Sequence, residues 1–180
     1  MSACAGCDSV SVKEKETRKL QEKINHLDGL IKNLPTNTNI DLAVKHTFEA
    51  AIKVIKRAAT IIAKGTATSA DYEAAFIDTK EAADVDTKAI RVDTLDAAYA
   101  TRAAINSALA AEHCIFTFIS DDSIKDRITE SAILNANDAN QANFYADCVK
   151  DAHAAKAAAK AIAEIAKDLA GKVKKKNKTK

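Results

Sequence analysis

Four glycines and one proline are all the turn-forming punctuation in a chain of 180 residues. Tight turns draw on glycine for positive φ and on proline for a preset φ. A chain this short of both cannot form a sandwich, barrel or propeller, which needs a turn signal roughly every ten residues. Long helices remain. Alanine supplies 38 residues, against 5 Phe, 3 Tyr, 1 Met and no Trp. Such a core buries little area per residue, so stability must come from helix length and close approach. The expected fold is all-α: an elongated antiparallel helical bundle with long, Ala-rich, coiled-coil-like helices.

The hydrophobic spacing places the elements. Residues 1–11 carry no period and read as a flexible N-terminal arm, 12–174 as one helical-bundle domain, and 175–180 as a basic C-terminal tail. A first helix is expected over about 12–34, with Leu20, Ile24, Leu27, Ile31 and Leu34 spaced 4-3-4-3 as a heptad seam. Pro35 stops it. A second spans about 39–64, opened by Thr38 and Asp41 as a near capping box and closed by Gly65.

The third helix starts at Ser69, a favoured N-cap, and meets no breaker until about Ala111. The pattern Val-Asp-Thr at Val85 and Val92 echoes Ile77-Asp78-Thr79, and these Asp-Thr pairs compete for backbone hydrogen bonds. The segment therefore reads either as one rod or as a helix kinked near Val85. The dense apolar run 114–119 follows, as its last turns or as a buried turn. A short helix is expected over about 123–135, capped by Ser123 with Asp126. Asn135, Asn137 and Asn140 read as a polar corner. The last helix is expected over about 138–174. Its seam, Tyr145, Cys148, Ala152, Ala155, Ala159, Ile162, Ala166, Leu169 and Val173, repeats 3-4 without exception and is the expected interaction seam.

Charge is segregated along the chain although the net is only +2. Residues 13–64 hold 11 Lys/Arg against 6 Asp/Glu, and residues 150–180 hold 10 against 3. The middle, 65–149, is acidic. Either basic and acidic helices attract one another within the bundle, or the basic ends face an anionic partner. Lys45, Lys53, Lys56 and Arg57 on the second helix, together with the C-terminal lysines, are the candidates for an anionic membrane surface. Nucleic acid is disfavoured, because no aromatic side chains interleave with the lysines to stack on bases.

Few residues carry chemistry. No Gly-x-Ser-x-Gly elbow, His-Glu-x-x-His or Glu-x-x-His occurs, so no catalytic residue and no cofactor is expected. His26 and His46 read as partly exposed bundle histidines. The constellation worth weighing is Glu112, His113, Cys114, Cys148 and His153. If two helix ends met, His113, Cys114, Cys148 and His153 would form a thiolate–imidazole metal site; otherwise Cys114 and Cys148 are core thiols or a disulfide. Cys4 and Cys7 have metal or redox spacing but no strand–helix context around them.

The expected function is non-enzymatic: a helical structural or interaction protein that self-associates or binds a helical protein partner. The alternatives are a membrane- or lipid-surface protein (a lipoprotein, granule coat or small helical toxin) and a metal-handling bundle. With no apolar signal before the cysteines, the chain as written reads as cytoplasmic. Met1-Ser2-Ala3-Cys4 nevertheless resembles the end of a bacterial lipoprotein signal, with Met1 where leucine would stand. That resemblance makes Cys4 a lipidation candidate and a secreted or surface lipoprotein the alternative location.

Overall fold

A computed structural model of the chain describes the backbone of residues 5–89 and 95–178, and the side chains of 12–84 and 95–174. Among the described residues there are six helices: α1 Ala5–Lys32, α2 Asn39–Lys64, α3 Ser69–Ala89, α4 Leu95–Thr117, α5 Lys125–Cys148 and α6 His153–Lys178. A 3-10 turn, Asp122–Ile124, precedes α5. The fold is a helical bundle. The side chains of Val85 and Val92, and residues 1–4 and 179–180 of the expected arm and tail, lie outside the described residues.

The local signals place α2 as expected. Thr38 Oγ1 accepts from the Asp41 amide while the Thr38 amide donates to Asp41 Oδ2, a complete capping box. Gly65 ends the helix at φ 87°, a conformation that glycine adopts without a Cβ clash. The same device starts α3, with Thr68 rather than Ser69 as the cap, exchanging bonds with Asp71. α1 begins at Ala5, before the expected start near residue 12, and its heptad seam is fully inside: Leu20, Ile24, Leu27, Ile31 and Leu34 are all buried.

Further along the chain several boundaries and caps differ from the expectation. The segment 69–111 is not one rod. α3 ends at Ala89, α4 begins at Leu95, and the two helices fold back on each other. Tyr72 in the first turn of α3 meets Phe116 in the last turns of α4 edge-on at 5.1 Å, and the Ala67 amide bonds Phe118 O. The polar corner at 135–140 is likewise absent, because α5 runs unbroken through it. Asn135 points inward, fully buried, and its Nδ2 donates to Ala110 O on α4. Nor does Ser123 cap a helix with Asp126: the Ser123 amide instead donates to Asp121 Oδ1.

The last break sits at 149–152, inside what the sequence reads as one helix. Val149 is extended and buried, and Asp96 of α4 accepts from the backbone N–H of Lys150 (3.0 Å) and Asp151 (2.9 Å). A carboxylate from another helix thus occupies the N-terminal end of α6, where the helix dipole favours negative charge. These amide bonds hold the Asp96 carboxyl below its ordinary pKa, that of Lys150 contributing most.

Among the described residues, α4 lies at the centre, against α2, α3, α5 and α6, while α1 packs on α2 and α6. The central helix is lined with buried alanines, among them Ala100, Ala103, Ala104, Ala108 and Ala111. With so little side chain between them, its four neighbours approach closely. Phe48, Ile55, Ile115, Ile162 and Leu169 fill the remaining core. The two basic segments, far apart in sequence, are therefore brought together as α1, α2 and α6. Lys23 ties α1 to α6 through Asp168 (2.6 Å) and Glu164 (3.3 Å), and the Asp168 hydrogen bond raises the lysine's pKa.

Candidate functional site

The expected interaction seam is spread over two helices. Tyr145 and Cys148 belong to α5, and Ala152 precedes α6, which carries Ala155 to Val173. Ala159, Ile162, Ala166, Leu169 and Val173 are all buried in the bundle's own interior. Tyr145, Cys148, Ala152 and Ala155 are half-buried. Tyr145 stacks on Tyr99 of α4 at 6.1 Å under the Arg102 guanidinium. The α6 part of the seam from Ala159 to Val173 is thus covered by the chain itself.

The four metal candidates do not meet. Asp96 holds residues 150 and 151 at the Leu95 end of α4, which places Cys148 and His153 there. Cys114 is 18 residues further along α4, or about 27 Å at the rise of an α-helix. Neither Cys114 nor Cys148 is in a disulfide, and Cys114 is buried as a core thiol. Among the described residues, no group of three or more His, Cys, Asp and Glu side chains is placed to hold a metal ion. Cys4, the lipidation candidate, lies outside the described residues, as does the Cys7 side chain.

The basic residues of α2 are engaged unevenly. Lys56 pairs with Asp28 of α1 at 3.3 Å, and Lys45 donates to Lys32 O. Arg57 is half-buried, while Lys53 is exposed. Of the C-terminal lysines, Lys172 lies 3.9 Å from Glu16 and Lys174 is exposed. The side chains from 175 onward lie outside the described residues.

Two titratable groups near the far end of α4 have partners that the sequence did not reveal. Glu112 is 3% exposed, facing α3. Burial, foremost, raises its pKa above the ordinary value; the charge of neighbouring His113 and hydrogen bonds with Tyr72 and Thr79 oppose it. Thr79 Oγ1 also donates to Ala75 O within α3. On the next face of the same helix, His113 Nδ1 lies 3.0 Å from Asp138 Oδ2 of α5, and the Ser131 hydroxyl donates to His113 O. These groups join helices.

The surface holds what sequence reading missed. Phe76 and Ile77 on α3 are 51% and 64% exposed, and Ile133 and Phe144 on α5 are 60% and 63% exposed. Val12, Leu42, Leu95 and Leu134 are exposed as well. For Ile133 and Phe144 the signal was a second periodicity of α5, at Ile133, Asn137, Asn140 and Phe144, which the Asn-rich composition masked.

Fold and surface together define a helical bundle, of six helices among the described residues, with structural polar contacts inside and some large apolar side chains outside. Compared with known proteins, the chain matches no family model, no curated protein and no solved structure. No helix among the described residues is long and apolar enough to cross a membrane.

Proposed function

We propose that this is a non-enzymatic helical interaction protein that self-associates or binds a helical protein partner. The observation that carries the reading is the outward placement of Ile133 and Phe144 on α5, and of Phe76 and Ile77 on α3. Large apolar side chains left in water are candidates for contact with a partner. The titratable groups support a structural role: Glu112 serves the α3–α4 contact, His113 and Asp138 the α4–α5 contact, and Asp96 the start of α6.

In the same reading the scaffold is an elongated antiparallel bundle with coiled-coil-like seams. Supporting this are the heptad-spaced burial along α1, the Lys23 pairs with α6, and the Tyr72–Phe116 contact. Surplus helix length does not support it, because the two longest expected helices are each divided.

Sedimentation velocity over a range of concentrations, with and without candidate helical partners, tests the function. Association that Phe144→Ser or Phe76→Ser weakens is the expected result. A compact 19.2 kDa monomer at high micromolar concentration that captures no helical partner would sink the reading.

A further inference from the structure

A separate site, independent of the exposed faces of α3 and α5, lies where α1, α2 and α6 meet. We propose that the groove there binds a single-chain anionic amphiphile, a fatty-acid-like monocarboxylate. Its hydrocarbon lies on an apolar floor, and Lys64 and Lys172 meet its charge.

The first observation is the groove's size and surface. It holds about 390 Å³, and all three helices line it. Leu20 of α1 and Ala59, Ile62 and Ala63 of α2 give it its apolar surface. Small-molecule sites run from roughly 300 to 1,000 Å³ and are mostly apolar, with a few polar groups. At the low end of that range the groove suits one short chain rather than a two-chain lipid or a helix.

Charge complementarity selects the ligand's sign. The charged residues of the lining are both cations, Lys64 at the end of α2 and Lys172 on α6, and no carboxylate lines the groove beside them. Lys64 forms no ion pair among the described residues. Asp71 feels its charge, but Thr68 supplies the hydrogen bonds of that carboxylate. The Lys172 side chain is 21% exposed, and Glu16 lies 3.9 Å away, beyond hydrogen-bond range. Its ammonium thus keeps its donors for a ligand, in a setting where charge is screened less than in open water.

The neutral polar groups of the lining leave the anion to the lysines. Thr17 Oγ1 donates to Lys13 O, Thr60 Oγ1 to Lys56 O, and Gln21 Nε2 to Asn25 Oδ1. Both hydroxyl protons are spent within their own helices, so the threonines offer a ligand only acceptor oxygens. Two cations above an apolar floor, with no acid, complement a molecule that is apolar along its length and negative at one end. A neutral lipid would leave the ammoniums unanswered. A small inorganic anion would leave the apolar floor in water.

The test is isothermal titration calorimetry of the full chain at low salt with decanoate, kept below its micelle-forming concentration, beside decanol and acetate. Decanoate should bind once per chain, with decanol and acetate each about tenfold or more weaker. The doubly substituted Lys64→Met, Lys172→Met chain should lose about tenfold or more of that affinity with unchanged helical circular dichroism, because methionine keeps an aliphatic stem. Ala63→Leu, at an exposed position of the floor, should weaken binding while both lysines remain. Lys53→Met, exposed on α2 outside the lining, should change nothing. No binding of decanoate, or equal binding of decanol or acetate, overturns the proposal. So does decanoate binding that both the double substitution and Ala63→Leu leave intact. A chain that pellets with phosphatidylglycerol vesicles through these lysines, yet takes up no free decanoate, assigns them to a membrane surface and overturns the groove.

Discussion

Ile162 on α6 and Ile133 on α5 are the same side chain at opposite extremes, 0% and 60% exposed. Truncating each to alanine isolates burial from chemistry. Ile162→Ala removes three carbons from the core, about 2.4 kcal/mol at roughly 0.8 kcal/mol per carbon. The void adds a second cost, about 1.4 kcal/mol for roughly 60 Å³ left open. Little relaxation is available, because the nearby positions on α6 are Ala158, Ala159, Ala163 and Ala166, which have no rotamers with which to fill space. The sum is about 4 kcal/mol, a large share of a domain's total stability. For a chain of this length each kcal/mol moves the midpoint by about 2–4 °C, so a fall of about 8–16 °C is expected. Ile133→Ala should stay within about 0.5 kcal/mol. Thermal unfolding followed by circular dichroism, at low protein concentration so that association does not contribute, reads both. Equal shifts, or a loss below about 1 kcal/mol at Ile162, would refute the placement of the α6 seam.

Glu112 has a raised folded pKa, so its favourable contribution is full below the ordinary glutamate range and is lost as pH rises through the raised value. Glu112→Gln should therefore match the wild type in acid and melt higher at neutral pH; a variant less stable at neutral pH counts against a neutral buried carboxyl. Asp96 has the opposite sign: its depressed pKa gives stability that is present above the ordinary aspartate range and lost as pH falls through the depressed value. Asp96→Ala should speed hydrogen exchange at the Lys150 and Asp151 amides, and its deficit in melting temperature should shrink in acid; unchanged protection would remove the cross-helix cap. At Gly65, φ 87° makes alanine unfavourable by about 1 kcal/mol. At Gly29, inside α1 with nothing within 4 Å of an added Cβ, alanine should stabilise by about 0.5–1 kcal/mol. Opposite signs in paired melts are the expected outcome.

What the sequence determined by itself was whatever a single turn of helix decides. Thr38, Asp41 and Gly65 bound α2 through bonds spanning three or four residues, so the signals that start and stop it lie within one window. The seam from Leu20 to Leu34 needed only the 3.6-residue period and an interior to face. The scarcity of glycine and proline set the all-helical class for the same reason. Tertiary structure decided where unbroken periodicity is interrupted. No breaker marks 149–152; the Lys150 and Asp151 amides just before α6 find their acceptor in Asp96, 54 and 55 residues earlier, and no local pattern contains that partner. Asn135 looked like a corner because asparagine caps helices, yet a carbonyl on α4 gave its amide a buried partner within α5. The same return of the chain separated the Cys and His residues that sequence proximity had grouped, and it enclosed Glu112 beneath α3. Even the clean repeat from Tyr145 to Val173 could not say whether its cover was this chain or another. Periodicity records that a face must be buried, and only the closing of α6 onto α1, α4 and α5 determined against what.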